Sequence, residues 1–142
     1  MTALSLLLAC CLLLPPAAAT TSPAVVRIPS PPPWTEAAID PSGVATTFAL
    51  GDFAYTRAKR KQPEGEDRDA DVLVFSARAL RNATHAAVEV RFLDEKLDVV
   101  FAGLARFDPM VLQWTTGKTA TGSVVLDPAL MPKVRLIVFA PI

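Results

Sequence analysis

A chain of 142 residues suits one domain and is too short for two ordinary ones. Its 14 basic and 14 acidic residues cancel to a formal net charge of zero. Proteins that bind nucleic acid draw most of their affinity from a basic excess, so nucleic acid is excluded as an expected partner.

Residues 1–19, MTALSLLLACCLLLPPAAA, read as a signal peptide and not as part of the fold. The apolar run has the length of a signal-peptide core and falls short of the roughly 20 residues that span a bilayer. Pro15 and Pro16 end it, and Ala17-Ala18-Ala19 supplies an A-x-A cleavage site. No Lys or Arg precedes the run, so the α-amino group is its only positive charge. Leu7-Leu8-Ala9-Cys10 also fits a bacterial lipobox, which makes Cys10 the candidate lipidation site and the protein a membrane-anchored lipoprotein. Against that, the apolar run continues past Cys10 through Leu14 where a polar tether is expected. Either way the destination is export, periplasmic or secreted. Cys10 and Cys11 are the only cysteines, so cleavage after Ala19 leaves no disulfide.

Residues 20–43 read as a proline-rich tether and a transition. Five of the 13 prolines fall within 20–33, where fixed φ and the missing N–H favour an extended chain. Val25 to Ile28 are able to add to a sheet as an edge strand. Asp40-Pro41-Ser42-Gly43 is a turn, and 44–142 is expected to be the folded domain.

Within that domain, 44–56 is rich in β-branched and aromatic residues, with Gly51-Asp52 marking a bulge. Residues 57–71, RAKRKQPEGEDRDAD, read as a solvated charged loop. Asp67, Asp69 and Asp71 have the spacing of the first calcium ligands of an EF-hand, but Val72 and Arg78 stand where glycine and the bidentate glutamate are required. A strand over 72–80 leads to the turn RNATH, where Asn82 begins a formal glycosylation sequon and His85 is the single histidine. Val88, Val90 and Phe92 alternate with Glu89, Arg91 and Leu93, a strand with one face on the core, and a polar turn at 94–96 makes it the first arm of a hairpin. Short strands follow over 97–102, 110–114 and 122–126, and 133–139, KVRLIVF, closes the domain. About seven short strands with turns between them and no convincing helix predict an all-β antiparallel sandwich. The expected core is Leu73, Phe75, Val88, Val90, Phe92, Val100, Leu112, Trp114, Val125, Leu136 and Val138.

The motifs for chemistry are weak. Gly117-Lys118-Thr119 lacks the upstream glycine and following helix of a phosphate-binding loop. One histidine cannot build a Cys/His zinc site, and no nucleophile elbow surrounds Ser76 or Ser123. No metal or cofactor is expected, and the protein is not expected to be an enzyme. The alternative is a small exported hydrolase or carbohydrate-active enzyme in which Asp52 converges with Glu36 and Asp40.

From about residue 70 to 139 the order of features resembles the FxLyD-like and YcfL-like domains of bacterial envelope proteins. It is carried by a strand ending at the turn Leu80-Arg81-Asn82, by VEVRFLDEKLDVV, by the run from Trp114 into the turn at Gly117-Lys118-Thr119, and by the closing KVRLIVF. Lys96 and Leu97 replace the glycine usual after the Asp turn, and 103–109 is extra. The resemblance implies an immunoglobulin-like, non-catalytic extracytoplasmic module and transfers no functional residues. The expected partner is another envelope or extracellular protein, with membrane contact only through a lipidated Cys10. The expected partner surfaces are the 57–71 loop, with Arg57 and Lys59, and the 107–114 segment, with Met110 and Trp114.

Overall fold

The protein is described by a computed structural model over residues 24–28, 34–61 and 63–142. Residues 1–19, expected to be a signal peptide and containing Cys10, lie outside the described residues. Eleven strands run in chain order: β1 (Ala24–Ile28), β2 (Thr35–Asp40), β3 (Phe48–Arg60), β4 (Arg68–Ala79), β5 (Ala83–Thr84), β6 (Val88–Leu93), β7 (Val99–Leu104), β8 (Arg106–Asp108), β9 (Gln113–Trp114), β10 (Thr119–Leu126) and β11 (Leu136–Pro141). The remaining regular elements are two 3-10 turns, Ser42–Val44 and Pro128–Lys133. Among the described residues no helix is long and apolar enough to cross a membrane.

The strands form a sandwich. One sheet has the order β1-β2-β11-β6-β7, the other β3-β4-β10-β8, and β5 pairs with β9 as a small separate ribbon. The all-β sandwich expected from the sequence is therefore observed, with four strands beyond the seven counted there: β1 and β2 lie in the supposed tether and transition, and β5 and β8 are two and three residues long. One pairing is parallel: β11 runs alongside β2, with Leu136, Ile137 and Val138 opposite Ala38, Ile39 and Asp40. Such a contact joins residues far apart in the chain, Ala38 and Leu136 among them, and no local pattern announces it.

Residues 24–40, expected to be tether and transition, supply two strands of the larger sheet. Val26, Ile28, Ala37 and Ile39 are buried, so period-two burial holds even in this alanine- and proline-containing stretch. The folded domain thus begins no later than Ala24, with β1 as the edge strand its Val25–Ile28 run allows.

The expected 57–71 loop is strand at both ends, 57–60 and 68–71, and only the residues between remain a connection. β3 and β4 form one long hairpin in which Arg57 faces Asp71, Lys59 faces Asp69 and Arg60 faces Arg68. The opposite charges of the first two pairs let a charged sequence stay in a sheet. The bulge at Gly51-Asp52 is observed, with Asp52 at φ 52° and the register shifting between Gly51 and Ala54. It reverses the parity of the strand: Phe48 and Leu50 point inward before it, and Phe53 and Tyr55 pack against the core after it. Without the extra residue both rings would face water.

The turn RNATH does not close a hairpin. β4 and β6 lie in different sheets, and the crossing carries β5. Positive φ falls on His85, at 53°, and not on Asn82, whose side-chain oxygen accepts from the Thr116 N–H at 2.9 Å. The β6–β7 hairpin is as expected. Asp94 Oδ1 accepts the N–H groups of Lys96 and Asp98 at 2.8 and 3.0 Å, and Leu97 takes positive φ in place of a glycine.

Leu73, Phe75, Val88, Val90, Phe92 and Trp114 are core residues, as expected. Leu112 and Val125 are exposed, and Val100, Leu136 and Val138 are only partly covered. Their strand neighbours Val124, Leu126, Ile137 and Phe139 fill the core instead. Phe75 bridges the two sheets by meeting Phe139 edge-on at 5.1 Å, and Trp114 ties the small ribbon to the smaller sheet through Phe48 and Phe107 at 4.8 and 5.1 Å.

Candidate functional site

The inverted faces of β11 expose the feature that sequence periodicity hides. Directly opposed residues in a sheet share a face. Val25 opposes Ala38, Ala38 opposes Leu136, Leu136 opposes Leu93, and Leu93 opposes Val99. These five residues make an unbroken apolar row across all five strands of the larger sheet, on the face turned away from the core. Val25 and Val99, at its ends, are 65% and 56% exposed. Ala38 is exposed, and Leu93 and Leu136 are half-buried.

The neighbouring rows frame it. On one side Arg27 faces Glu36, with Nη2 3.6 Å from Oε1. On the other, Asp40, Val138, Arg91 and Ala102 follow in register, and beyond them Ala140, Glu89 and Leu104. Arg91 pairs with Glu89 on its own strand, while Asp40 Oδ1 accepts the Ser42 N–H. Exposed Leu97 and Leu104 extend the apolar surface along the β7 side. The arrangement is a flat apolar stripe with a polar rim, the composition of a protein-docking surface, and it holds no nucleophile, general base or metal ligand set.

The candidates expected from the sequence fall elsewhere. Trp114 is 1% exposed and packs between Phe48 and Phe107, so it is a core residue and not part of a partner surface. Its chain neighbours point outward: Met110 is 81% exposed and Leu112 is exposed. Arg57 is not a free docking charge. It donates from Nε to Asp71 Oδ1 at 2.8 Å and from Nη2 to Oδ2 at 3.3 Å, covering a carboxylate with no solvent exposure. Lys59 is exposed on the same hairpin. Met110 and the Arg57–Lys59 region therefore do not form one patch with Trp114.

Nor do the carboxylates of the enzyme alternative meet. Glu36 is engaged by Arg27, Asp40 Oδ1 accepts the Ser42 N–H at 2.9 Å, and Asp52 sits in the β3 bulge of the other sheet. Among the described residues no group of three or more His, Cys, Asp or Glu is placed to hold a metal ion. Asp71 of the Asp67-Asp69-Asp71 series is occupied by Arg57. His85 is exposed and lines a depression of about 210 Å³ with Thr47 and Arg81, while Ser76 and Ser123 lie in the middle strands of the smaller sheet. A depression of about 410 Å³ lies between the 94–98 turn and the start of β11, and its rim mixes Asp94, Glu95 and Asp98 with Lys96, Lys133 and Arg135. It is shallow and of balanced charge, with no apolar floor to hold a small molecule.

What the sequence reading missed is the row itself. The signal was available: 136–140, LIVFA, is apolar at both parities, which in an ordinary antiparallel sheet means that both faces are dry or one is waiting to be covered. The chain matches no protein-family model, no curated protein and no solved structure, so the likeness to FxLyD-like and YcfL-like domains rests on the order of sequence features alone.

Proposed function

We propose that this protein is an exported, non-catalytic binding or accessory module of the cell envelope that holds another protein against the outer face of its five-stranded sheet. The observation that carries the reading is the apolar row Val25–Ala38–Leu136–Leu93–Val99, one residue from each strand in direct register. Leaving such a row in water forfeits the stabilisation its burial would give, about 25 cal/mol per Å² of apolar area. A partner that covers it recovers that energy. The apolar segment 1–19 supports export, and the absence of converging carboxylates in the described residues gives the hydrolase reading no geometric support.

The test is quantitative co-purification from the native host. Val25→Lys and Val99→Lys place a charge at exposed ends of the row without entering the core, so the fold is retained and the recovered partner falls about tenfold or more. Thr121→Lys, on an exposed position of the other sheet, serves as the control and leaves recovery unchanged. Equal recovery from all three variants would refute the assignment.

A further inference from the structure

Met110 and Leu112 are exposed, belong neither to the core nor to the five-strand row, and lie at one end of the sandwich. β2 and β11 run parallel, so their last residues share that end, and the depression holding Thr47, Arg81 and His85 reaches Pro141 there. The β5–β9 ribbon lies at the same end. Asn82 accepts the Thr116 N–H, Ala83 opposes Trp114, Thr84 opposes Gln113, and His85 donates its N–H to Leu112 O at 2.9 Å. Buried Trp114 holds the ribbon down, and residues 109–112 leave it as a short apolar tip.

Cations stand at the other end of the same ribbon. Arg81 adjoins Asn82, and Lys118 is fixed nearby because its carbonyl accepts the Ala79 N–H at 2.8 Å. Arg78 opposes Thr119 on the outer face of the smaller sheet. All three are exposed, and none forms an ion pair among the described residues. Two acids share this end of the sandwich: Asp40, whose Oδ1 accepts the Ser42 N–H, and Asp108, which closes β8. At the opposite end the 94–98 turn mixes its acids with Lys96, Lys133 and Arg135 and shows no basic excess.

We propose that this end of the domain rests on an anionic lipid bilayer, with Met110 and Leu112 at the boundary of headgroups and acyl chains and Arg81 and Lys118 against lipid phosphates. Apolar burial and attraction to anionic lipid add in such a contact, and an exposed apolar pair beside unpaired cations supplies both. The direction of the chain selects a bilayer over a second protein. β1 runs antiparallel to β2 with Ala24 opposite Ile39, so the chain enters β1 from the Asp40 end, which is the end that carries the tip. The residues upstream include the apolar run that delivers an exported chain to a membrane. The contact is made by the folded domain itself and requires no acyl chain on Cys10. It shares export with the proposed function and does not use the apolar row, so its failure leaves the partner-binding reading standing.

The experiment is co-sedimentation of the full chain with vesicles of phosphatidylcholine alone and of phosphatidylcholine mixed with phosphatidylglycerol. The expected result is binding to the mixed vesicles that weakens as salt is raised. Arg81→Ala with Lys118→Ala lowers it about tenfold or more, as does Met110→Asp with Leu112→Asp, while Val25→Gln in the apolar row leaves it unchanged. Insertion is read at the tip itself: brominated phosphatidylglycerol quenches Met110→Trp beyond the parent protein, and does not do so for Glu95→Trp at the opposite end. No binding to the mixed vesicles would overturn the proposal. A chain held on them by its first residues alone would bind regardless of the substitutions and leave Met110→Trp unquenched, which would also overturn it. Should the double aspartate variant unfold, the Arg81 and Lys118 replacements and the quenching decide.

Discussion

The guanidinium of Arg57 lies across the carboxylate of Asp71, which is wholly buried, in a two-point contact between neighbouring strands of the β3–β4 hairpin. The pair converts a charged stretch into sheet and closes the end of the core beside Leu126, which opposes Asp71 on the other side. Arg57→Leu strips the cover from a buried anion. Full burial of both partners would put the loss at about 3–5 kcal/mol, but the Arg57 side chain is 36% exposed and water offsets part of it, giving an expected loss of about 2 kcal/mol in urea unfolding. Arg57→Leu with Asp71→Leu is expected to cost less than Arg57→Leu alone, because no charge is then stranded.

Tyr55, the chain's single tyrosine, sits on the inner face two residues from Arg57, and its hydroxyl is buried beside the Asp71 carboxylate. Burial foremost, then the Asp71 charge, raise its phenol well above the ordinary 10.0, with Arg57 opposing. The unfolded chain releases this proton near pH 10 and the folded one retains it, so the unfolded state binds fewer protons above that pH. The contribution is therefore complete below pH 10 and is lost as pH rises further. Tyrosinate absorbance is expected to appear together with loss of near-ultraviolet circular dichroism, and Tyr55→Phe to flatten the alkaline decline. Tyrosinate forming near pH 10 in a still-folded protein would contradict this.

The two tryptophans differ sharply: Trp114 is 1% exposed and Trp34 54%. Acrylamide is expected to quench Trp34 and spare Trp114, as read by comparing Trp34→Phe with the parent. Trp114→Ala removes a ring packed against Phe48 and Phe107 and is expected to cost about 3–5 kcal/mol, whereas Met110→Ala changes the unfolding midpoint little.

Gly122 opposes Phe75 on β4, and a Cβ there would overlap the Phe75 ring. The ring lies over the glycine and reaches Phe139 across the sandwich and Phe107 within its own sheet. Gly122→Ala is expected to destabilise by about 1–3 kcal/mol, and Gly122→Ala with Phe75→Leu to regain part of the loss in the same denaturation assay.

Where one face of a strand is dry and the other wet, the sequence was a sufficient guide. Val88, Val90 and Phe92 were placed inward because Glu89 and Arg91 lie between them, and the turn after them was read from the polar run at 94–96. The bulge was legible in Gly51-Asp52. The reading failed where both parities are apolar. In β11 nothing distinguishes Leu136 and Val138 from Ile137 and Phe139, and in β10 Val125 is no more polar than Val124. The same ambiguity hid the candidate site, because an apolar residue on an uncovered face looks like core. The Arg57–Asp71 contact was hidden by composition, since a run of charges reads as loop until its cross-strand register is known. The parallel β2–β11 pairing spans nearly the whole chain, and short-range patterns carry no trace of it.

The most direct test of the central claim places a photoreactive amino acid at Ala38, mid-row on the outer face, and irradiates intact host cells. The account predicts one predominant adduct with another protein of the envelope, absent when the probe stands at Thr121 on the opposite sheet. Equal labelling from both positions, or no adduct from Ala38 at all, would contradict it.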